Sequence, residues 1–568
     1  MAPRAVRVIT EVAAVDRPFD YALTEATDQA ALGDRVRVEL QHRSVRGWVI
    51  EEAEWSPDLK PVKKWLGLGP PASTLPLWRW AGERWYGPWS RFLAGASPPR
   101  VVVTLPAAPA AAPLDAALRA TVTATSPGVV QLAPTTDPLG LVLASYEATR
   151  ERPGSLLVLV PTDGWAGRLR GRLEQRGLAV ASGEEQWDRM RAGWPVIVGA
   201  RGAALAPTPR VAGAVVIDAD DEAFRSSATP TWDAVTLLRE RCRRDDAPLW
   251  CTSIIPSPTL LDGGGYAKDA DLASGWPRVL VADRRGSDPH EGVLARVALD
   301  AAHRAIEGGE PVAVVVISQR LGAGRLLACG RCGELARCVV CRQAESEVTD
   351  QLMCAERHDP RAKFCRHCGA TSLRRLAVGV TTLARDVAAQ LGRPVSEVSA
   401  AQAPAALERV VVGTEAVWSR VRRSGVVVFA DFDQYLLAPR ASARRAAITA
   451  VGKAGRLVGS RGEARGEVVL QTRRGDDEVV TALRGAQFDA VVADDVATAE
   501  LLGLAPYRAS AAISGEGASE FVAQLASERV NVVETSTGYV AQADDVATLT
   551  QALRVTPRPT QRLRVAVQ

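Results

Sequence analysis

Lysine is the rarest charged residue in this chain. Only Lys60, Lys63, Lys64, Lys268, Lys363 and Lys453 stand among the 69 Lys and Arg of 568 residues. A coding bias toward arginine accounts for that much. The scarcity still bears on chemistry, because a phosphate-cradling NTPase loop needs one particular lysine. Long apolar runs are missing too, and none reaches the roughly 18–20 residues needed to span a bilayer. The opening MAPRAVRVITEVAAVDRPFDY lacks the apolar stretch of a signal peptide, so a cytoplasmic protein without membrane partners is expected. Net charge of one sign is absent as well: 65 Asp and Glu leave +4, and any basic surface must be local. Nearly half of the residues, 47%, are apolar, which excludes global disorder.

What is present is a cluster of cysteines. Seven of nine fall between Cys329 and Cys368, spaced Cys329-x2-Cys332-x5-Cys338-x2-Cys341-x12-Cys354-x10-Cys365-x2-Cys368. A secreted disulfide framework would spread its cysteines through the chain, whereas this density in a cytosolic chain reads as metal. CGRCG and CRHCG each end in a glycine able to take the left-handed turn that aims backbone N–H groups at thiolates. Together Cys329, Cys332, Cys365 and Cys368 supply the closed tetrahedral shell of a structural zinc. Cys338, Cys341 and Cys354 need a fourth ligand. Arg357 cannot serve, and His358 can, which predicts a second, three-Cys one-His zinc; His367 is expected to be exposed. Residues 320–375 hold 11 Arg and Lys against 6 Asp and Glu, a local basic excess suited to phosphate.

Along the rest of the chain, RVRVEL (35–40) and RGWVIE (46–51) read as strands around the turn QHRS. The Trp-rich helical stretch 76–93 follows, its tryptophans read as packing residues. The Pro/Ala-rich VVVTLPAAPAAAPLD (101–115) reads as a linker. From about residue 128, short β-branched runs alternate with helical segments such as 164–177 and 291–309. That pattern predicts parallel sheets wrapped by helices, in two lobes, the second interrupted by the cysteines.

In this order the features resemble one family, primosomal protein N′ (PriA), the bacterial replication-restart helicase. The resemblance rests on VAAVDRPFDYAL near the start, the zinc spacing, GTEAV (413–417), ADFDQYLLAPRASARRA (430–446), GKAGR (452–456) and ELLGLAPY (500–507). It implies an α/β fold of two parallel-sheet helicase-like lobes with a zinc-binding insertion, a small mostly-β N-terminal DNA-binding domain and a small α+β C-terminal domain. The expected units are 1–105, 106–285, 286–475 with the insertion at 327–372, and 476–568. It also implies a pocket for the terminal 3′ nucleotide of a nascent strand, formed here by Phe19, Asp20 and Lys60, and tightened by Gln41 where the family has glycine. From the residues alone, Phe19 reads as core and Asp20 as a cap. The family's winged-helix module has no room between the linker and the first lobe.

The departures from the family lie at its motor motifs. VVQLAPTTDPLGLVLAS (129–145), where the phosphate loop should stand, has no lysine, loses amides at Pro134 and Pro138, and adds Asp137. Asp-Glu-Glu-His becomes Asp218-Ala219-Asp220-Asp221. Asp218 and Asp221 read as a solvated acidic turn at a strand end. Ser-Ala-Thr becomes Ser253-Ile254-Ile255, and the arginine-finger pair reads Lys453 and Arg456, a vestigial nucleotide site with Asp218. The expectation is a replication-restart primosome protein that recognises forks and helps reload the replicative helicase, with zinc, without ATP and not as an enzyme. The resemblance implies single-strand-binding protein, other primosome components and the replicative helicase as partners, in a nucleoid-associated setting. An active 3′→5′ helicase with an atypical loop and a scaffold without fork specificity are the alternatives.

Overall fold

The computed structural model describes residues 3–13, 15–121, 126–262, 265–285, 291–317, 327–354, 358–375, 379–399, 406–438, 440–463, 466–525, 528–535 and 537–568. Arg320, Arg325 and Arg357 of the basic stretch lie outside the described residues, as does Ser318.

The N-terminal strands form an antiparallel sheet of five. Its order is Phe19–Ala22, Ala5–Thr10, Arg43–Ala53, Arg35–Leu40 and Lys64–Trp65. Val6, Val8, Val36, Val38 and Val49 are its buried face, alternating with polar positions as a half-covered sheet requires. Leu40 pairs with Arg43, so Gln41 and His42 alone make the turn, with φ of 47° and 63°. Two left-handed residues match the twist of the flanking strands. That backbone costs a non-glycine residue roughly 1–2 kcal/mol.

Trp78 and Trp80 lie in the helix Leu75–Arg84, and Trp85 and Trp89 lie between it and the helix Ser90–Gly95. Trp78 and Trp85 are buried in one core with Leu157 and Val216 of the first parallel sheet and with Phe521 and Leu549 near the C-terminus. The Pro/Ala stretch runs on from there and is tied at both ends. Leu68 N donates to Val102 O (2.7 Å), and the Tyr146 hydroxyl donates to Ala112 O (2.7 Å) beside buried Leu114.

The first lobe is a seven-stranded parallel sheet in the order Tyr266–Lys268, Gly128–Gln131, Leu249–Ser253, Val211–Val216, Ser155–Leu159, Val196–Gly199 and Val180–Ala181. Its inner strands Ser155–Leu159, Val196–Gly199 and Val211–Val216 are nearly continuous apolar runs because helices cover both faces. The second lobe has six parallel strands, ordered Arg278–Asp283, Glu467–Thr472, Val426–Phe429, Val312–Val315, Val410–Gly413 and Val395–Val398.

Two expected boundaries move. Arg278–Asp283 pairs with Glu467–Thr472, so the second lobe begins before residue 278 rather than at 286. Trp276 pins that crossover, fully buried with its ring 4.4 Å from Phe488. Helices Glu478–Gly485 and Asp489–Leu501 bury Val479, Val480, Leu483 and Val491 in the same core, so the second lobe also runs past 475. Beyond them lies a four-stranded antiparallel sheet of Asn531–Thr535, Gly538–Ala543, Ala509–Ser514 and Arg564–Val567. Among the described residues, no helix is long and apolar enough to cross a membrane.

Candidate functional site

The structure brings Phe19, Asp20 and Lys60 together around one cavity of about 780 Å³ in the N-terminal sheet, lined also by Asp16, Arg17 and Gln41. Phe19 is half-buried against the sheet core, and the Arg17 guanidinium lies 5.0 Å from its ring centroid. Asp20 is not a helix cap. It sits opposite Arg7 in the strand register and accepts from Arg7 Nε at 2.8 Å and Nη2 at 3.2 Å. Lys60 Nζ reaches Glu39 at 3.1 Å, and Lys63 reaches its other oxygen at 2.7 Å. Hydrogen bonds from Lys63 and Lys60, reinforced by their charges, hold Glu39 down at about 2. Asp16 behaves oppositely: burial pushes its carboxyl up against the pull of Arg554, in the helix Val546–Val555, and Arg558, just beyond it. The left-handed Gln41 places its side chain on the cavity wall, where a glycine would leave space.

The cysteines form two groups. In the outer one, Cys329 Sγ lies 3.5 Å from Cys368 Sγ, and Cys332 Sγ lies 3.6 Å from Cys365 Sγ. In the inner one, His358 Nδ1 lies 3.6 Å from Cys338 Sγ and 3.3 Å from Cys354 Sγ, with Cys341 beside them. In each group all four ligand atoms fall within 4.8 Å of one another, so each could hold a metal ion. The spacing has a physical reading, because an ion ~2.3 Å from four tetrahedral sulfurs sets them ~3.8 Å apart.

The knuckles have the backbone this needs. Gly333 and Gly369 take φ of 74° and 73°, and Arg331 N donates to Cys329 Sγ (3.3 Å). At the inner knuckle the same left-handed place is filled by Arg342, φ 59°. Beneath them Arg361 holds buried Glu345 through Nε at 2.9 and 3.0 Å, and Lys363 holds Glu347 at 2.6 Å. Arg331, Arg342 and Arg366 remain exposed on the knuckles and make no ion pair among the described residues. His367 is exposed.

The third cluster lies between the two lobes. Gly128–Gln131 leads through Leu132–Pro138 into the helix Leu139–Thr149, the strand–loop–helix layout of a phosphate loop. Its contents are already partnered. Asp137 accepts from Leu139 N (3.1 Å), placing the chain's own carboxylate at the helix N-terminus, and Arg172 Nη1 donates to that carboxylate (3.0 Å). Thr135 donates to Gly275 O (2.8 Å) and Thr136 to Asp269 (2.6 Å).

At the end of Val211–Val216, Asp218 takes φ 55° and is only 7% exposed. Arg456, from the helix Ala443–Val458 of the second lobe, grips it with two nitrogens at 2.5 and 2.8 Å and donates from Nε to Pro134 O (3.1 Å). Lys453 Nζ reaches Asp221 at 2.7 Å. Burial pushes the Asp221 carboxyl up; the charge and hydrogen bond of Lys453 outweigh this and hold it below the usual carboxylate range.

The sequence reading of Asp218 and Asp221 as a solvated turn is therefore corrected. Asp218 is buried and Asp221 partly buried, and each pairs with a cation more than two hundred residues away. Sequence reasoning also missed the Pro134 carbonyl and the Trp165 ring, which lies 5.1 Å from the Arg456 guanidinium. Neither residue type announces a charged site.

Residues 7–98 match the family model described as the 3′ DNA-binding domain of PriA. The probable replication restart protein PriA of Mycobacterium bovis is 29% identical over 449 residues, covering 67% of this chain and 65% of the relative. The replication restart protein PriA of Thermotoga maritima is 23% identical over 401 residues, covering 63% and 53%. The chain thus spans about two thirds, 65%, of the length of the mycobacterial relative. A DEAD box protein from Methanococcus jannaschii aligns over 64% of this chain and 86% of its own, at 11% identity and a TM-score of 0.29, too loosely to bear on the fold. Over its 3′ DNA-binding domain, and more loosely over about two thirds of its length, the chain is thus similar to replication restart proteins PriA.

Proposed function

We propose that this chain recognises branched DNA at replication forks and supports restart as a binding platform, without an ATP-driven motor of its own. The observation that carries this reading is the joint between the lobes, where Arg456 and Lys453 engage Asp218 and Asp221 and Asp137 occupies the helix N-terminus. Phosphates would have to displace a carboxylate there and would find no loop lysine.

Phe19, Asp20 and Lys60 would receive the 3′ end of a strand. An aromatic face stacks a base, a carboxylate accepts from sugar or base, and a lysine released from Glu39 meets phosphate. Exposed Arg331, Arg342 and Arg366 would add backbone contacts.

Zinc is the proposed ion of both cysteine groups. It would cross-link the knuckles and fix the arginines they carry. We further propose four units: an N-terminal 3′-end domain to about 105, a first lobe, a second lobe with the insertion 327–372, and a C-terminal domain. Single-strand-binding protein, other primosome components and the replicative helicase are the proposed partners, in the nucleoid.

One titration tests the reading. Fork DNA should bind with a steep loss of affinity as salt rises, while DNA-stimulated ATP hydrolysis stays at background. Clear ATP turnover that disappears in Asp218→Asn would sink the motor-free reading. Equal affinity for forks and plain duplex with a shallow salt slope would sink the fork reading.

A further inference from the structure

We infer that the two helicase-like lobes are latched closed by a joint of their own residues, so that their closed arrangement needs no nucleotide. This rests on the reading above that the site takes no ATP, and it adds what occupies the joint and what that does to the lobes.

Three kinds of contact meet on one face of the helix Ala443–Val458. The first is close backbone approach. A Cβ at Gly452 would stand 2.8 Å from Ile254 Cγ2 and 3.3 Å from Pro134 Cγ, so any larger residue there would hold the helix off the first lobe, and Gly455 also faces Pro134, whose Cβ lies 3.6 Å from its Cβ position. The second is apolar. Ile254 and Ile255, at the end of a first-lobe strand, are buried in the second lobe's core with Ile448 and Val451. The third is charge at the rim, where Lys453 pairs with Asp221 and Arg456 pairs with Asp218 while reaching the Pro134 carbonyl.

These residues complement one another across the joint. Pro134 offers Arg456 its carbonyl and lays its ring against Gly452, with Cγ 3.3 Å from the Cβ position. The apolar Ile254 fills the space that Gly452 leaves. Decay of a motor site through loss of selection would leave unpaired charges and voids. Matched ion pairs around an apolar seam instead make a joint whose two sides cannot separate without exposing both.

The lobes of a motor must part and close in each turnover. Latched lobes keep their DNA-facing surfaces at fixed spacing, as suits a platform.

Hydrogen exchange on the full-length, metal-loaded chain tests this, in wild type, in Lys453→Ala/Arg456→Ala, in Lys453→Glu, and in the charge-exchanged pair Asp221→Lys/Lys453→Glu. Peptides from 129–145 and 443–458 should exchange on the order of tenfold faster in the double alanine variant and in Lys453→Glu. The N-terminal sheet should be unaffected. The charge-exchanged pair should recover most of the protection, and magnesium-ATP should leave the wild-type pattern unchanged. Wild-type exchange rates in both loosened variants would overturn the latch. So would failure of the exchanged pair to recover what Lys453→Glu loses, a comparison that stands even if the double alanine variant does not fold. Protection of 129–145 in wild type by magnesium-ATP would overturn the ATP-free reading itself, a result distinct from loss of the latch.

Discussion

Stripping the metal from the purified chain with a strong chelator is expected to unfold the cysteine module while leaving both parallel-sheet lobes folded. Strands Leu327–Cys329, Glu345–Val348, Gln351–Cys354 and Leu373–Arg375 are three or four residues each, and their largest apolar cluster is a handful of side chains around Leu352 and Ala336. Sheets this small do not hold themselves together in water. Binding of a structural zinc contributes about 10–16 kcal/mol in small modules, so metal and fold should be lost as one step. The cores of the lobes, led by Leu157 and Val158 in the first and Val427 and Val468 in the second, contain no residue of the cysteine module.

Metal analysis should find two zinc ions per chain. His358→Ala should lower the count to one, and Cys332→Ser should remove the other. One zinc per chain, unchanged by His358→Ala, would show that the inner group does not bind it. Hydrogen-exchange protection of the module that is unchanged after chelation would show that the module does not fold on its metal.

The second large effect concerns the N-terminal cavity. Phe19→Ala combined with Asp20→Ala should weaken binding to forks carrying a free 3′ leading-strand end by roughly ten- to a hundredfold, since one stacked base contributes about 1–3 kcal/mol. The two positions differ in what else they do. Phe19 is half-buried, so its loss also thins the sheet core, whereas Asp20 is on the surface of the sheet, bound to Arg7. Asp20→Asn is the cleaner probe, keeping shape while removing charge. Binding to forks whose 3′ end is blocked should already be weak and should change little in either variant. Equal loss for free and blocked ends would mean that the substitutions damage the fold rather than the recognition of an end.

Chain-local features were legible before any coordinates. Cysteine spacing sets which sulfurs can meet, because a knuckle is closed by its own few residues, and both groups of four assemble as their spacing implies. Parallel strands buried on both faces need unbroken apolar runs such as SLLVL and VVVF, so two such sheets could be read from the sequence pattern. Domain edges were less legible. Trp276 and Phe488 look alike in any context, and only their mutual burial assigns both to the second lobe.

Tertiary structure alone decided the meaning of the acidic residues between the lobes. In sequence, Asp218-Ala219-Asp220-Asp221 has the composition of a solvated turn, and the nearest cation along the chain is Arg225, not the residues that hold it. Arg456 lies 238 residues from Asp218, and Lys453 lies 232 from Asp221. Pairing at that range depends on how two whole sheets dock, which no local pattern encodes. The scarce lysines show the same division. The sequence established that none stands in the phosphate loop, and the fold put Lys453 across the joint from it, bound to a carboxylate. Absence can be read from a sequence because it is a property of the chain; partnership requires the fold, because it is a property of distance.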